Sequence, residues 1–115
     1  MSPNFPEPIA TEEITWVRKD GSTSQIKVFI GRPYQLEDGD WACPTLLDGV
    51  DSRYPDVMGS SSVQSLSLAI RLVATRIFHL LDDGETLFFK DDLSAPFTLD
   101  TLRDTFAFQP PLAAL

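Results

Sequence analysis

The longest amphipathic pattern in the chain runs from Gly59 to Gly84. Apolar side chains recur there at spacings of three and four residues, which predicts one α-helix with a continuous apolar stripe. The stripe consists of Val63, Leu66, Ile70, Val73, Ile77 and Leu80 or Leu81. Ser61 and Gln64 have the spacing of a capping box and predict its start. Gly84 follows two aspartates and favours the left-handed conformation that ends a helix. We expect the rest of the chain to pack against this stripe.

Shorter alternating patterns predict β-strands on either side of the helix. They cover residues 12–18, 25–32, 40–47 and 85–90. Pro44 lacks a backbone N–H, so the third run is predicted to be an edge strand or to contain a bulge. The side chains predicted to face the helix are Trp16, Ile26, Val28, Ile30 and Leu87.

The opposite sheet face carries Val17, Phe29 and Phe88. It is expected to be partly covered, with residues 97–115 available as the cover. Leu99, Leu102 and Phe106 predict a short amphipathic helix near residues 98–106.

The predicted order is three strands, a long helix, a strand and a short helix. This order indicates an α+β fold, because sequential strands usually pair as neighbours. The fold class is a mainly antiparallel sheet of about four strands, with the long helix on one face and a short C-terminal helix.

The chain ends differ in composition from its middle. Prolines at positions 3, 6 and 8 predict a disordered arm over residues 1–10. Pro110-Pro111 stops regular structure, and residues 110–115 are predicted to form a loose tail. Residues 11–109 are then a single α+β domain, a suitable length for one core.

Charge is the most distinctive bulk property. The net charge is −8, with 17 Asp and Glu against 9 Lys and Arg. This disfavours nucleic acid or an anionic membrane as a partner, since both require clustered cations. It is compatible with a basic protein partner, and equally with simple solubility.

No apolar run is long enough for a membrane span, and the N-terminus lacks the pattern of a signal peptide. We therefore expect a cytoplasmic protein.

Acidic residues concentrate in the loops around the third strand. They are the predicted partner-binding residues: Glu37, Asp38, Asp40, Asp48, Asp51 and Asp56. Several flank glycines, as calcium ligands do. None has the alternate spacing and distal glutamate of a calcium loop, so turn chemistry explains them better.

Catalytic candidates are few. His79 is the only histidine and Cys43 the only cysteine. Cysteine is usually buried, so Cys43 is expected to be a packed strand residue, although a nucleophilic Cys43–His79 pair stays open. The serines at 60–62 lie before a helix and are expected to cap it rather than bind an anion. We predict no enzyme activity, no metal and no cofactor.

Three segments resemble a family of small uncharacterised bacterial domains. They are Ile30-Gly31-Arg32-Pro33, Trp41-Ala42-Cys43-Pro44 and the helix start Gly59-Ser60-Ser61-Ser62-Val63-Gln64-Ser65-Leu66. The family has Trp-x-Cys-Pro and Gly-x-Asp-Ser-x-Gln-Ala-Leu in the last two, so Ser61 replaces its aspartate and Ser65 its alanine. The resemblance implies a fold and a bacterial source but no activity.

These observations favour a binding protein. The first hypothesis is an immunity-type or antitoxin-type protein that neutralises a bacterial toxin by direct contact. One alternative is a homo-oligomeric assembly module, for instance a homodimer through a sheet edge. The other is a small-ligand-binding domain or enzyme with a pocket near Trp16, Trp41 and Cys43.

Overall fold

The computed structural model describes residues 5–109, which form eight strands and two helices. The strands are β1 (Pro8–Val17), β2 (Thr23–Gly31), β3 (Tyr34–Gln35), β4 (Trp41–Cys43), β5 (Thr45–Asp48), β6 (Val57–Gly59), β7 (Thr86–Phe89) and β8 (Asp92–Pro96). The helices are α1 (Ser62–Asp82) and α2 (Leu99–Phe106). The predicted α+β class is confirmed, with a long central helix and a short C-terminal one.

The strands form two antiparallel sheets instead of the one that was predicted. The larger has the order β5-β2-β1-β7-β8, and the smaller has the order β3-β4-β6. The predicted strands at residues 12–18, 25–32 and 85–90 correspond to β1, β2 and β7. Strands β3, β6 and β8 were not predicted.

The third predicted strand is divided at Pro44. Residues before it pair in the small sheet, and residues after it pair with β2 at the edge of the large sheet. The N–H of Gly31 donates to the carbonyl of Pro44 at 2.8 Å, which holds the junction against the end of β2. An edge position was therefore predicted correctly for β5, but the change of sheet was not.

Helix α1 packs on one face of the large sheet. Ile26, Val28, Ile30 and Leu87 are buried there as predicted, whereas Trp16 is only partly buried and packs at the margin. Its indole N–H donates to Glu85 at 3.1 Å. Burial of the four aliphatic side chains supplies much of the apolar contact that fixes the helix on the sheet.

The buried stripe of α1 differs from the predicted one near its start. Val63 is 71% exposed, whereas Ser65 and Ala69 are fully buried. The predicted burial of Val63 is wrong because the helix meets β6 through its small residues. A Cβ on Gly59 would lie 2.5 Å from the backbone nitrogen of Ser65, so strand and helix backbones approach closely here.

Both ends of α1 are capped by side chains and turns predicted from the sequence. The Ser61 hydroxyl accepts from the N–H of Gln64 at 3.1 Å. The Gln64 side chain accepts from the N–H of Ser60 at 2.6 Å, one residue earlier than a standard capping box. At the other end Gly84 has φ +85, and the N–H of Glu85 donates to Leu80, as in a Schellman motif.

The second face of the large sheet is covered from the N-terminal side. Phe5 packs on Phe29, with ring centroids 5.8 Å apart, and Leu46 completes this small cluster. Residues 97–115 were predicted to cover this face. Within the described part of that range, Phe97 and Phe108 instead belong to the main core.

The predicted arm over residues 1–10 is wrong for its last part. Residues 8–10 belong to β1, where Ala10 pairs with Ile30. Pro8 is tolerated because it is the first residue of the strand and an irregularity follows it. Residues 1–4 and the predicted tail at 110–115 lie outside the described residues.

Candidate functional site

Three of the predicted partner-binding residues lie together in the turn between β3 and β4. Glu37, Asp38 and Asp40 are exposed there, and none forms an ion pair within residues 5–109. The N–H of Leu36 donates to the backbone carbonyl of Asp40 at 2.7 Å, and the Asp38 carboxylate accepts from the N–H of Asp40 at 2.9 Å. Gly39 supplies the left-handed conformation, with φ +93. We call residues 36–40 the acidic hairpin.

Asp56 is tied to neighbouring side chains. It accepts a hydrogen bond from the Tyr34 hydroxyl at 2.5 Å and forms an ion pair with Arg53 at 3.2 Å. The bond to Asp56 favours the protonated phenol and raises the pKa of Tyr34. Asp56 thus links β3 to the segment before β6, and its charge is partly compensated.

Asp51 is part of a second linked group. Arg76 of α1 donates to both its oxygens, through Nε at 2.7 Å and Nη2 at 3.1 Å. Tyr54 also donates to this carboxylate. The bonds from Arg76 are the main reason why the pKa of Asp51 is lowered. Burial and the bond to Asp51 raise the pKa of Tyr54. This group holds the loop before β6 against the helix.

Asp48 is the last residue of β5 and lies opposite Lys27 of β2. Like Asp51, it is only partly exposed. The six predicted residues therefore occupy different settings. The acidic hairpin holds three carboxylates without ion-pair partners in the described chain, while Asp51 and Asp56 stabilise local structure.

An apolar cleft of about 330 Å³ lies between the small sheet and the start of α1. It is lined by Arg32, Pro33, Trp41, Ser62, Val63 and Leu66. Trp41 follows Asp40 directly in sequence, so the cleft and the acidic hairpin adjoin. Val63 was predicted to lie in the core, so this surface was not predicted from the sequence. The small residues Ser65 and Ala69, four apart, were the pattern that could have corrected the assignment.

The two candidate nucleophilic or basic side chains have separate contacts. Cys43 is fully buried, and burial raises its thiol pKa to about 11. Its Sγ lies 3.4 Å from the carbonyl oxygen of Gly31. His79 is exposed, and its Nδ1 accepts from Arg76 at 3.0 Å. A thiol with so high a pKa is almost entirely protonated at neutral pH, which disfavours nucleophilic chemistry.

The described residues contain neither a metal-binding cluster nor a membrane-spanning helix. Across positions 5–109, no group of three or more His, Cys, Asp or Glu side chains has an arrangement that could hold a metal ion. Neither of the two helices in this range combines the length and apolarity needed to cross a bilayer.

Comparison with known proteins gives one family. No curated protein and no solved structure matches the chain significantly. The predicted resemblance to a family of small uncharacterised domains is confirmed at that level, because a family model covers most of the sequence. The matching model is described as a domain of unknown function, DUF6968, and it extends over residues 10–99, so the chain belongs to that family.

Proposed function

We propose that this protein is an acidic binding module that recognises a basic protein partner. The partner would contact the acidic hairpin and the adjoining cleft at Trp41 and Val63. The observation that carries the proposal is that three exposed carboxylates without ion-pair partners in the described chain adjoin an apolar cleft. The biological form we propose is an immunity-type or antitoxin-type protein that neutralises a bacterial toxin by direct contact.

Charge and apolar area would have different roles in such a complex. The carboxylates of Glu37, Asp38 and Asp40 would steer a basic surface toward the hairpin and raise the association rate. Val63 and Trp41 would then be buried and slow dissociation, as aromatic and apolar anchors at the centre of an interface do. Arg32 at the cleft would favour a partner with one acidic side chain among its cations.

We propose binding without a catalytic step. The protonated, buried Cys43 and the separate contact of His79 with Arg76 support this. Cytoplasmic location and a bacterial source are parts of the same proposal. They are supported by the single cysteine and by the motif resemblance at residues 30–33, 41–44 and 59–66.

The test uses any candidate toxin that is found encoded beside this gene. Co-expression should restore growth of a bacterium that makes the toxin, and the two proteins should co-elute on gel filtration. Combined Glu37→Gln, Asp38→Asn and Asp40→Asn substitutions should slow association by about tenfold at low salt, and the difference should shrink at high salt. Val63→Ala should speed dissociation without loss of stability, because this side chain is 71% exposed.

A matched control removes three exposed carboxylates elsewhere, through Asp82→Asn, Asp83→Asn and Asp104→Asn. It should change the association rate much less than the hairpin variant does. Equal slowing by both sets would mean that only net charge matters. No growth rescue and no complex with the neighbouring toxin would contradict the proposed function itself.

Self-association is a second candidate function, favoured by exposed apolar side chains on β7 and β8. Leu93 of β8 is 60% exposed, and Phe89 of β7, opposite Asp92, is 38% exposed. Asp92 and Pro96 at the ends of β8 oppose pairing of this edge with another strand. Light scattering distinguishes the two functions, because a stable dimer of the pure protein favours assembly.

A further inference from the structure

A cleft lies where the end of α2 crosses α1. Its larger part has a volume of about 470 Å³ and is lined by Ser67, Ile70, Arg71, Phe106, Ala107, Phe108 and Gln109. Ala107 has φ +51 and turns the chain directly after α2. Phe108 then packs on Phe78 of α1, with ring centroids 5.8 Å apart. The volume lies within the roughly 300–1,000 Å³ typical of small-molecule sites.

A smaller cavity of about 160 Å³ lies next to the first. The two share Ile70 and Phe106, and the smaller one reaches Val28 and Ile30 of the large sheet. Ile70 and Phe106 therefore form an apolar wall common to both cavities. Most small-molecule sites have such a wall and only a few polar groups.

The charged groups differ between the two ends. Arg71 lies at the larger cavity, is exposed, and forms no ion pair within the described part of the chain. Glu12 lines the smaller cavity. An anionic group is therefore attracted to the Arg71 end and repelled from the Glu12 end. A guanidinium also binds a carboxylate through two parallel hydrogen bonds.

We propose that this cleft binds a small amphipathic carboxylate, with its apolar part against Ile70, Phe106 and Phe108 and its carboxylate on Arg71. The positive charge of Arg71 beside an apolar lining favours an anionic head group at this end, even though the net charge of the protein is −8. The proposal is independent of the acidic hairpin and of any protein partner. It agrees with the predicted alternative of a ligand-binding domain but assigns a different pocket from the one near Trp16, Trp41 and Cys43.

The experiment measures binding of anilinonaphthalene sulfonate, an anionic apolar dye, to the full chain by fluorescence. Octanoate should displace the dye, whereas octanol, which has the same chain without the charge, should displace it much less. Arg71→Gln should weaken dye and octanoate binding by about tenfold, as expected for loss of one charge-assisted hydrogen-bonded contact. Lys19→Gln removes the same charge from the exposed turn between β1 and β2 and should leave binding unchanged.

A second variant tests the location independently of charge. Ser67 is exposed at the cleft, so Ser67→Trp should fill the larger cavity without disturbing the core and should abolish dye binding. Circular dichroism verifies that each variant is folded. Equal displacement by octanol and octanoate, unchanged affinity in Arg71→Gln, or full binding by Ser67→Trp would each overturn the proposal. Absence of dye binding by the full chain would also overturn it.

Discussion

The close approach of β6 to α1 predicts that Gly59→Ala destabilises the protein through steric overlap. The new Cβ would lie 2.5 Å from the nitrogen and 2.9 Å from the Cα of Ser65, and 3.0 Å from the carbonyl carbon of Gln64. These are helix backbone atoms, which no change of rotamer can move. Relief requires β6 and α1 to separate by roughly 1 Å, and such overpacking costs about 3 kcal/mol at the upper end of its range.

An opposing term reduces the net effect. Replacement of glycine by alanine restricts the unfolded chain, which stabilises the folded state by about 0.7 kcal/mol. The difference is a loss of about 2 kcal/mol in the free energy of unfolding. For a domain of this size that corresponds to a decrease of roughly 8 °C in Tm.

Gly31→Ala is the matched control. Its Cβ would lie 3.0 Å from the Cβ and Cγ of Pro44, so a shift of a few tenths of an ångström suffices. We expect a loss of about 0.5 kcal/mol or less, since the entropic gain offsets most of the crowding. Urea unfolding, followed by the fluorescence of Trp16 and Trp41, measures both variants. A Gly59→Ala protein as stable as Gly31→Ala would refute the close-approach explanation.

Two further predictions concern titratable groups. Asp51→Asn should destabilise the protein by about 1 kcal/mol at pH 7, because Arg76 loses a partly buried charged partner. Since the folded pKa of Asp51 lies below its ordinary value of 3.8, this contribution is fully present above that pH and is lost as the pH falls through the folded pKa. Urea unfolding at pH 7 and pH 3 should show the gap between wild type and variant shrinking, and a constant gap would contradict the assignment. Cys43 should resist alkylation by iodoacetamide at pH 8 until urea unfolds the chain, because it is buried and its pKa is about 11; rapid labelling of the folded protein would show the thiol to be accessible.

The long helix was predictable because several independent patterns agree on it. Its apolar repeat spans many turns, and Ser61 and Gly84 mark its ends by their own chemistry. Which side chains are buried in its first turns was not predictable from hydrophobicity. Ser65 and Ala69 make the contact there, and small residues contribute little to an apolar pattern.

The small sheet was missed for a different reason. Strands β3, β4 and β6 have two or three residues each, which is too short for alternation to be recognised. Strand β8 was missed because it begins with Asp92, and Asp91-Asp92 favours a turn.

For the candidate site, the sequence identified the acidic loops but could not sort them. Asp38 and Asp40 take part in the local turn chemistry that their spacing with Gly39 predicts. The partner of Asp51 is Arg76, which lies 25 residues away on another element, so no local pattern reveals the pair. Only the fold distinguishes a carboxylate available to a partner from one that holds a loop in position.

The passage of the chain through Pro44 limits how the length of this protein can vary. Cys43 and Leu47 are an even number of residues apart in the sequence. Both side chains reach the main core, although the two residues belong to different sheets. One residue inserted or deleted between them would turn one of the two side chains to the opposite face. Length changes should therefore be tolerated poorly at residues 43–45 and well in the turn at residues 36–40, whose side chains are mostly exposed.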